Sequence, residues 1–518
     1  TLAAEDNLFL RDLLGNQSVP DTIAAIDLGS NSFHMIVARL TEDGHLQVVD
    51  RLREMVQLAA GLDNKHHLSE EAQNRALDCL ARFGQRLRDI PGSRVRIVGT
   101  NTLRQARNSP EFLTRAEAVL GHPVEVVSGR EEARLIYLGV SHSIATVQGQ
   151  RLVVDIGGGS TELIIGEHFE PLYLESLGMG CVSMTQRHFP DGRIREADLR
   201  AAELTVRLKM EPITLRYQEL GWQQAIGASG TIKAIREVVV AEGWSKEVIT
   251  LPALRKLRNA LAVAGKVSAL VARWNLEPAR ARVFTGGFTV LHGLCESLGI
   301  KQLQVADGAL REGLVYDLVG RIRHEDVRHR TVAALGKRYD LDNVQAEQVT
   351  ATAVELLAQA RSDWELEDEE FVYLLEWAAQ LHEIGLVIAH NQHHKHGAYV
   401  VQHADLPGFS RSEQTLLAAL IRGQRRKFPT QIFTSLPKDR VLPARRLSVL
   451  LRLAVVLHRS RSCQPLPPLQ FCVEGQQLTL LFPPGWLDDH PLTRADLELE
   501  AEYLKQAGFK LEFGQEGG

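Results

Sequence analysis

Cysteine is scarce and scattered: Cys79, Cys181, Cys295, Cys463 and Cys472 are the five in 518 residues, with neither the paired spacing of a zinc site nor that of a disulfide framework. No apolar stretch approaches the roughly 20 residues of a membrane span. Residues 1–20 contain Glu5, Asp6 and Asp12 and lack a basic segment leading into an apolar core, so they read as a loose arm rather than a secretion signal. Low-complexity tracts are missing as well. These absences argue against a disulfide-stapled scaffold, a membrane-spanning protein and a disordered chain. The expectation is a soluble protein in a reducing, cytoplasmic setting, free or peripheral to a membrane. At this length several domains are required, because single cores rarely grow beyond roughly 250 to 300 residues.

What is present begins with a repeat. Ile26-Asp27-Leu28-Gly29-Ser30-Asn31-Ser32 returns 128 residues later as Val154-Asp155-Ile156-Gly157-Gly158-Gly159-Ser160, each copy set between apolar runs as strand, tight turn, strand. The match continues in Met35-Ile36-Val37 against Leu163-Ile164-Ile165, so two related α/β halves are expected. One copy would mean little, since Asp and Gly form ordinary hairpin turns. Two copies, each with Asp, Gly at plus two and Ser at plus five, suit phosphate chemistry: a carboxylate can hold a divalent cation while exposed N–H groups meet phosphate oxygens. Asn31, Ser32, Gly157, Gly158, Gly159 and Ser160 are the candidate phosphate contacts.

Strands are expected at Thr22–Leu28, Phe33–Leu40, Leu46–Arg51, Arg94–Gly99 and Val124–Val127, with a long helix at Ser69–Arg88. The pattern restarts with strands Leu152–Asp155, Glu162–Gly166 and Leu172–Ser176. After Arg321 helices dominate, among them Val344–Arg361 and Phe371–Leu386. The Pro-rich Gln464–Pro468 then breaks the chain before a hairpin, a helix at Arg494–Ala507 and a strand at Phe509–Phe513. The expected division is an arm over 1–20, α/β domains over 21–138 and 139–320, a helical domain over 321–461, and a small α+β domain over 462–518.

Duplicated aspartate hairpins mark the actin, sugar-kinase and heat-shock ATPase superfamily, and this chain resembles one branch of it. Asp27-Leu-Gly-Ser-Asn-Ser-Phe-His34, Gly99-Thr-Asn-Thr-Leu-Arg104, Ser128-Gly-Arg-Glu-Glu-Ala-Arg134, Asp155-Ile-Gly-Gly-Gly-Ser-Thr-Glu162, Gly227-Ala-Ser-Gly-Thr231 and Asp307-Gly-Ala-Leu-Arg-Glu-Gly313 look like the exopolyphosphatase/guanosine pentaphosphate phosphohydrolase (Ppx/GppA) family. The resemblance to long bacterial exopolyphosphatases extends through the later regions. It implies an α/β protein with duplicated actin-like (ribonuclease H-like) domains, followed by an all-α HD-like domain and a small α+β domain.

If the second turn is a hairpin, Glu162 faces Asp155, and the resemblance assigns these two to Mg²⁺, with Asp27 close enough to contribute. Ser128 with Glu131 reads as a capping box at a helix start, leaving Glu132 free to point elsewhere. The matching family position is the base that orients the attacking water. Arg104 suits phosphate because a planar guanidinium meets two oxygens. Ser229 and Gly230 precede a helix and would offer N–H groups to an anion. No Ser-His-Asp signature is present, so water attack without a covalent phosphoenzyme is expected.

In the helical region the HD pair reads His382-Glu383, and Val455 stands where a later aspartate is needed, so the fold is expected without that metal activity. His390, His393, His394, His396 and His403 read as a polar or polyanion-facing surface. Between Arg411 and Arg461 twelve Lys/Arg face two Asp/Glu, a net +10 that leaves −15 for the remainder of a chain at −5. Arg425, Arg426 and Lys427 could guide a phosphate polymer. On that basis the expected activity is processive exopolyphosphatase action on inorganic polyphosphate, with conversion of guanosine pentaphosphate to guanosine tetraphosphate as the alternative and a non-hydrolytic ATP-binding switch as a remote one. The family pattern adds a monovalent cation such as K⁺ and a homodimer. No specific nucleic-acid partner is expected.

Overall fold

Thr22–Leu28 (β1) becomes a central strand because its side chains are almost all apolar and covered on both faces. It pairs antiparallel with Phe33–Leu40 (β2), which pairs with Leu46–Glu54 (β3), and on its other side it lies parallel to Val95–Gly99 (β4). Glu125–Val126 (β5) completes the order β3-β2-β1-β4-β5. The second sheet repeats this plan around Gln150–Ile156 (β6). Thr161–Glu167 (β7) and Glu170–Leu177 (β8) follow as antiparallel neighbours and Gln224–Ala228 (β9) as the parallel one. Ile249–Thr250 (β10) and Gln302–Val305 (β11) extend it to β10-β11-β9-β6-β7-β8. The duplication read from the motif is therefore a duplication of sheet topology.

These elements come from a computed structural model that describes residues 22–40, 46–144, 149–322, 326–462 and 464–515. The expected arm over 1–20 lies outside them. The chain divides into two compact units, Thr1–Asp326 and Val327–Gly518.

Within the first unit two helices tie the halves together by crossing over. Gly129–Ser143 follows the first sheet in sequence yet packs on β6, β7 and β8, whereas Leu310–Ile322 follows the second sheet yet packs on β1, β2 and β4. They also lie against each other, closely enough that a Cβ at Gly139 would stand 2.0 Å from the Ala309 carbonyl oxygen and one at Gly313 1.8 Å from that of Leu135. Ile23, Ala25, Leu135, Ile136, Val153, Ile164, Leu314 and Val315 form the apolar core between the sheets. Beside it runs a buried ionic network. Asp317 accepts hydrogen bonds from Arg96 and Arg134, both at 2.5 Å, and from Arg321 at 3.0 Å, and Arg134 also donates to Glu131 at 2.8 Å.

In the second unit helices dominate: Asn343–Ala360 matches the one expected over Val344–Arg361, and Arg411–Gly423 and Lys438–Leu457 are others. The one foreseen over Phe371–Leu386 spans Glu369–Gln380 and stops. The chain turns so that Gly385 approaches the helix His393–His403, where a Cβ would be 1.9 Å from the His393 carbonyl oxygen. Gln470–Glu474 (β12), Gln477–Phe482 (β13) and Lys510–Gln515 (β14) make a small sheet in sequence order. Helical and sheet residues, Trp364, Trp377, Leu450, Leu478 and Leu504 among them, share one core.

Candidate active site

The β1 hairpin sets Asp27 opposite His34, and the β6 hairpin sets Asp155 opposite Glu162, the facing expected from the sequence. The two turns then meet. A Cβ at Gly158 would lie 2.9 Å from Ser30 Cβ, and one at Gly159 2.4 Å from Asn101 Oδ1. Two of the three consecutive glycines are thus explained by close approach of the halves. Around the meeting point opens a cavity of about 330 Å³.

Its floor is acidic. Asp27, Glu132 and Asp155 line it, and their carboxylates, with that of Glu162, lie near enough to disturb one another. Burial, then repulsion by Glu132, pushes Asp27 up from its ordinary 3.8 to about 7, against the pull of Arg311. Asp155 and Glu162 are raised by burial and by their acidic neighbours. Glu132 is raised by burial although Arg104, donating to its Oε2 at 3.2 Å, opposes the shift.

Basic side chains line the cavity too. Arg53, Lys233, Arg280 and Arg311 line the same cavity. Burial and the guanidinium groups of Arg311, Arg53 and Arg280 hold His34 down at about 3, so its ring is neutral at physiological pH. Arg311 Nη1 donates to His34 Nδ1 at 3.2 Å, which leaves the ring proton on Nε2 to be donated to Ser32 Oγ at 2.7 Å. Carboxylates and guanidinium groups in one cavity suit a ligand that is an anion carried with a cation.

Several expected residues meet here: Asp27, Asn31, Ser32, Glu132, Asp155, Gly157, Gly158, Ser160, Ser229 and Gly230 all line the cavity. Three do not. Gly159 turns against Asn101. Arg104 donates to the Val127 carbonyl at 2.8 Å and to Glu132 rather than opening into the cavity. Glu162 is 1% exposed and accepts from Ser176 Oγ at 2.8 Å. Among the described residues no three His, Cys, Asp or Glu side chains converge as a ready-made chelate. Asp27 and Asp155 with phosphate oxygens do fit a hard divalent cation, since Mg²⁺ is commonly held by one or two carboxylates plus substrate phosphates. The buried Asp27 Oδ1 has no hydrogen-bond partner of its own.

Reading the sequence gave no role to Arg53, Lys233 or Arg280, and none to His34 and Arg311 although both stand inside quoted blocks. Arg53 and Arg280 carry no local signal, and only the fold brings them together.

Comparison with known proteins agrees with this architecture. Residues 36–322 match the model of the Ppx/GppA phosphatase family, and residues 327–501 match that of Ppx/GppA phosphatase, domain III. The chain belongs to the Ppx/GppA phosphatase family. Like other Ppx/GppA members it is therefore a hydrolase of phosphoric anhydrides. Similar curated proteins include the guanosine-5'-triphosphate,3'-diphosphate pyrophosphatases of Vibrio cholerae, 44% identical with 94% of this chain and 97% of the relative covered, and of Aeromonas hydrophila, 43% identical with the same coverage. Among solved structures, an exopolyphosphatase from Cytophaga hutchinsonii has a TM-score of 0.53 at 27% identity, covering 58% of this chain and 98% of that one. The Aquifex aeolicus Ppx/GppA family member has a TM-score of 0.50 at 25% identity, covering 59% and 98%.

In the second unit, His393 and His394 are each 5% exposed, which corrects their reading as surface residues. Burial holds both below the ordinary histidine range. Arg425 is bonded to His393, while Arg426 and Lys427 are exposed. Much of the +10 segment serves the fold. Arg452 is buried against Glu500, Arg440 pairs with Glu370, Arg459 with Asp496, and Arg461 with Asp342 and Glu383. Among the described residues no helix is long and apolar enough to cross a membrane.

Proposed function

We propose that the chain converts guanosine pentaphosphate to guanosine tetraphosphate by releasing the terminal 5'-phosphate. The observation that carries this reading is its likeness, across nearly the whole length of both partners, to pyrophosphatases named for that nucleotide. This reverses the ranking drawn from charge alone. The basic segment that favoured a polymer loses weight because Arg440, Arg452, Arg459 and Arg461 are each paired with a carboxylate.

In the proposed reaction water attacks the terminal phosphorus, Glu132 takes its proton, and the bond from that phosphorus to the bridging oxygen breaks with the electron pair left on the nucleotide. Burial among other carboxylates supports Glu132 as base, because it keeps the proton affinity of the group above that of an ordinary glutamate. Arg53, Arg280, Arg311 and Lys233 hold the phosphate chain, and N–H groups at Gly158, Ser229 and Gly230 add donors. Asp27 and Asp155, backed by Glu162, would hold Mg²⁺, which supplies charge neutralisation at the phosphoryl oxygens when bound. A K⁺ requirement, a homodimer and a cytoplasmic location belong to the same proposal.

Inorganic polyphosphate is the second reading, favoured by the structural likeness to an exopolyphosphatase and by exposed Arg426 and Lys427. Orthophosphate release with Mg²⁺ decides between them. A higher kcat/KM for guanosine pentaphosphate than for long-chain polyphosphate is expected, and the opposite order overturns the ranking.

A further inference from the structure

At the rim of the cavity one carboxylate stands apart from the acidic floor. Asp307 lies in the turn between β11 and the helix Leu310–Ile322, and its side chain is 93% exposed. Lys233, from the helix Gly230–Ala241, places Nζ 3.1 Å from Asp307 Oδ1 and also donates to the Asp307 carbonyl oxygen at 3.4 Å. The Lys233 charge is felt by Asp155 on the floor as well. Lys233 and Asp307 both line the cavity that holds Asp155.

A phosphate chain anchored on the floor and passing Lys233 would meet, at Asp307, a group with two acceptor oxygens and no donor. Another phosphate would be repelled there. The complementary ligand carries two adjacent N–H donors pointing the same way. Guanine presents that pair, N1–H beside the exocyclic N2 amino group, and matches both oxygens of one carboxylate as an arginine fork does. Adenine presents an acceptor at N1 beside a donor and does not match. The Lys233 ammonium, bound to Asp307, keeps the carboxylate ionised and in place, and its aliphatic stem offers apolar surface beside the base.

We propose that Asp307, steadied by Lys233, is the residue that selects guanine, an inference that rests on the guanosine pentaphosphate reading. Asp307 acts as a specificity residue and Lys233 as its positioning partner. The pairing predicts a change of preference that a structural role would not produce. In Asp307→Asn the amide oxygen still accepts from N1–H, but the amide NH2 faces the N2 amino group of guanine donor to donor. Xanthine carries an oxygen at that position, so the amide matches it.

The test compares kcat/KM for guanosine 5'-triphosphate 3'-diphosphate and its xanthosine counterpart in the wild-type chain and in Asp307→Asn. Wild type should prefer guanosine, and the variant should lose about tenfold on guanosine and gain on xanthosine, the scale expected of one or two hydrogen bonds. A partly misfolded variant lowers both values and leaves their ratio alone, so the ratio is the readout. Should turnover vanish, equilibrium binding of the two tetraphosphate products reads the same ratio. An unmoved ratio overturns the assignment of Asp307. Absence of wild-type activity on the guanosine compound overturns the proposed function instead, which separates the two failures.

Discussion

Replacing Glu132 with glutamine should make the protein slower and more stable at once. The side chain is 7% exposed among carboxylates, and its acidity is weakened even though Arg104 stands 3.2 Å away. Its negative charge is thus a net liability to the fold in the absence of a cation, and a neutral isostere relieves it. Loss of a general base is worth about 10² to 10⁴ in kcat, or about 3 to 5 kcal/mol of barrier. KM should stay within about threefold, because glutamine keeps the shape and Arg104 keeps its bond to the Val127 carbonyl. The thermal midpoint of the cation-free protein should rise, on the order of 2 °C for each kcal/mol of repulsion removed. Steady-state phosphate release from guanosine pentaphosphate and a melting curve in chelator measure both. A kcat within about tenfold of wild type would remove Glu132 from the role of base, and a lowered midpoint would refute the electrostatic argument.

The remaining predictions concern the two ionic clusters in the fold. Arg452→Met leaves Glu500 buried without its counter-charge and strips donors from the Gly423 and Arg426 carbonyls, at a cost of about 3 to 5 kcal/mol. Adding Glu500→Gln should recover part of that in chemical denaturation, and strictly additive losses would speak against a coupled pair. Asp317 is held below its ordinary 3.8: burial alone would raise it, but Arg134, Arg96 and Arg321 outweigh that. Its folded pKa lies below the unfolded value, so its stabilisation is fully present above about pH 4 and is lost as pH falls further. Asp317→Asn should therefore lower stability at pH 7 and flatten the acid limb of stability against pH. An unchanged acid limb would mean the network is not what fails in acid.

How much was legible depended on whether the signal was local. The pairing of Asp155 with Glu162 could be read because hairpin register has a period of two and the turn length was visible, and the structure gives that register. The same logic applied to the first copy pairs Asp27 with His34, yet a lone histidine beside an apolar strand drew no attention. The break after Gln380 could not be foreseen from periodicity, and neither could the contact beyond it, where Gly385 is pressed against a helix that comes later in the chain. Charge counting could not rank the substrates for a related reason. A run of arginines has the same composition whether it faces solvent or, like Arg452, is buried against a glutamate.

The sequence by itself determined the duplicated strand–turn–strand units, the acidic residues at their turns and the helical character of the later region, since all of these follow from spacing along the chain. Tertiary structure alone decided which residues share a cavity. Arg53, Lys233, Arg280 and Arg311 come from separate elements and converge only because the two sheets repeat one topology and the crossing helices lock them together. The physical reason is that phosphate chemistry needs opposite charges held across a few ångströms. That closeness is set by close-packed glycines and exchanged helices, not by distance in sequence.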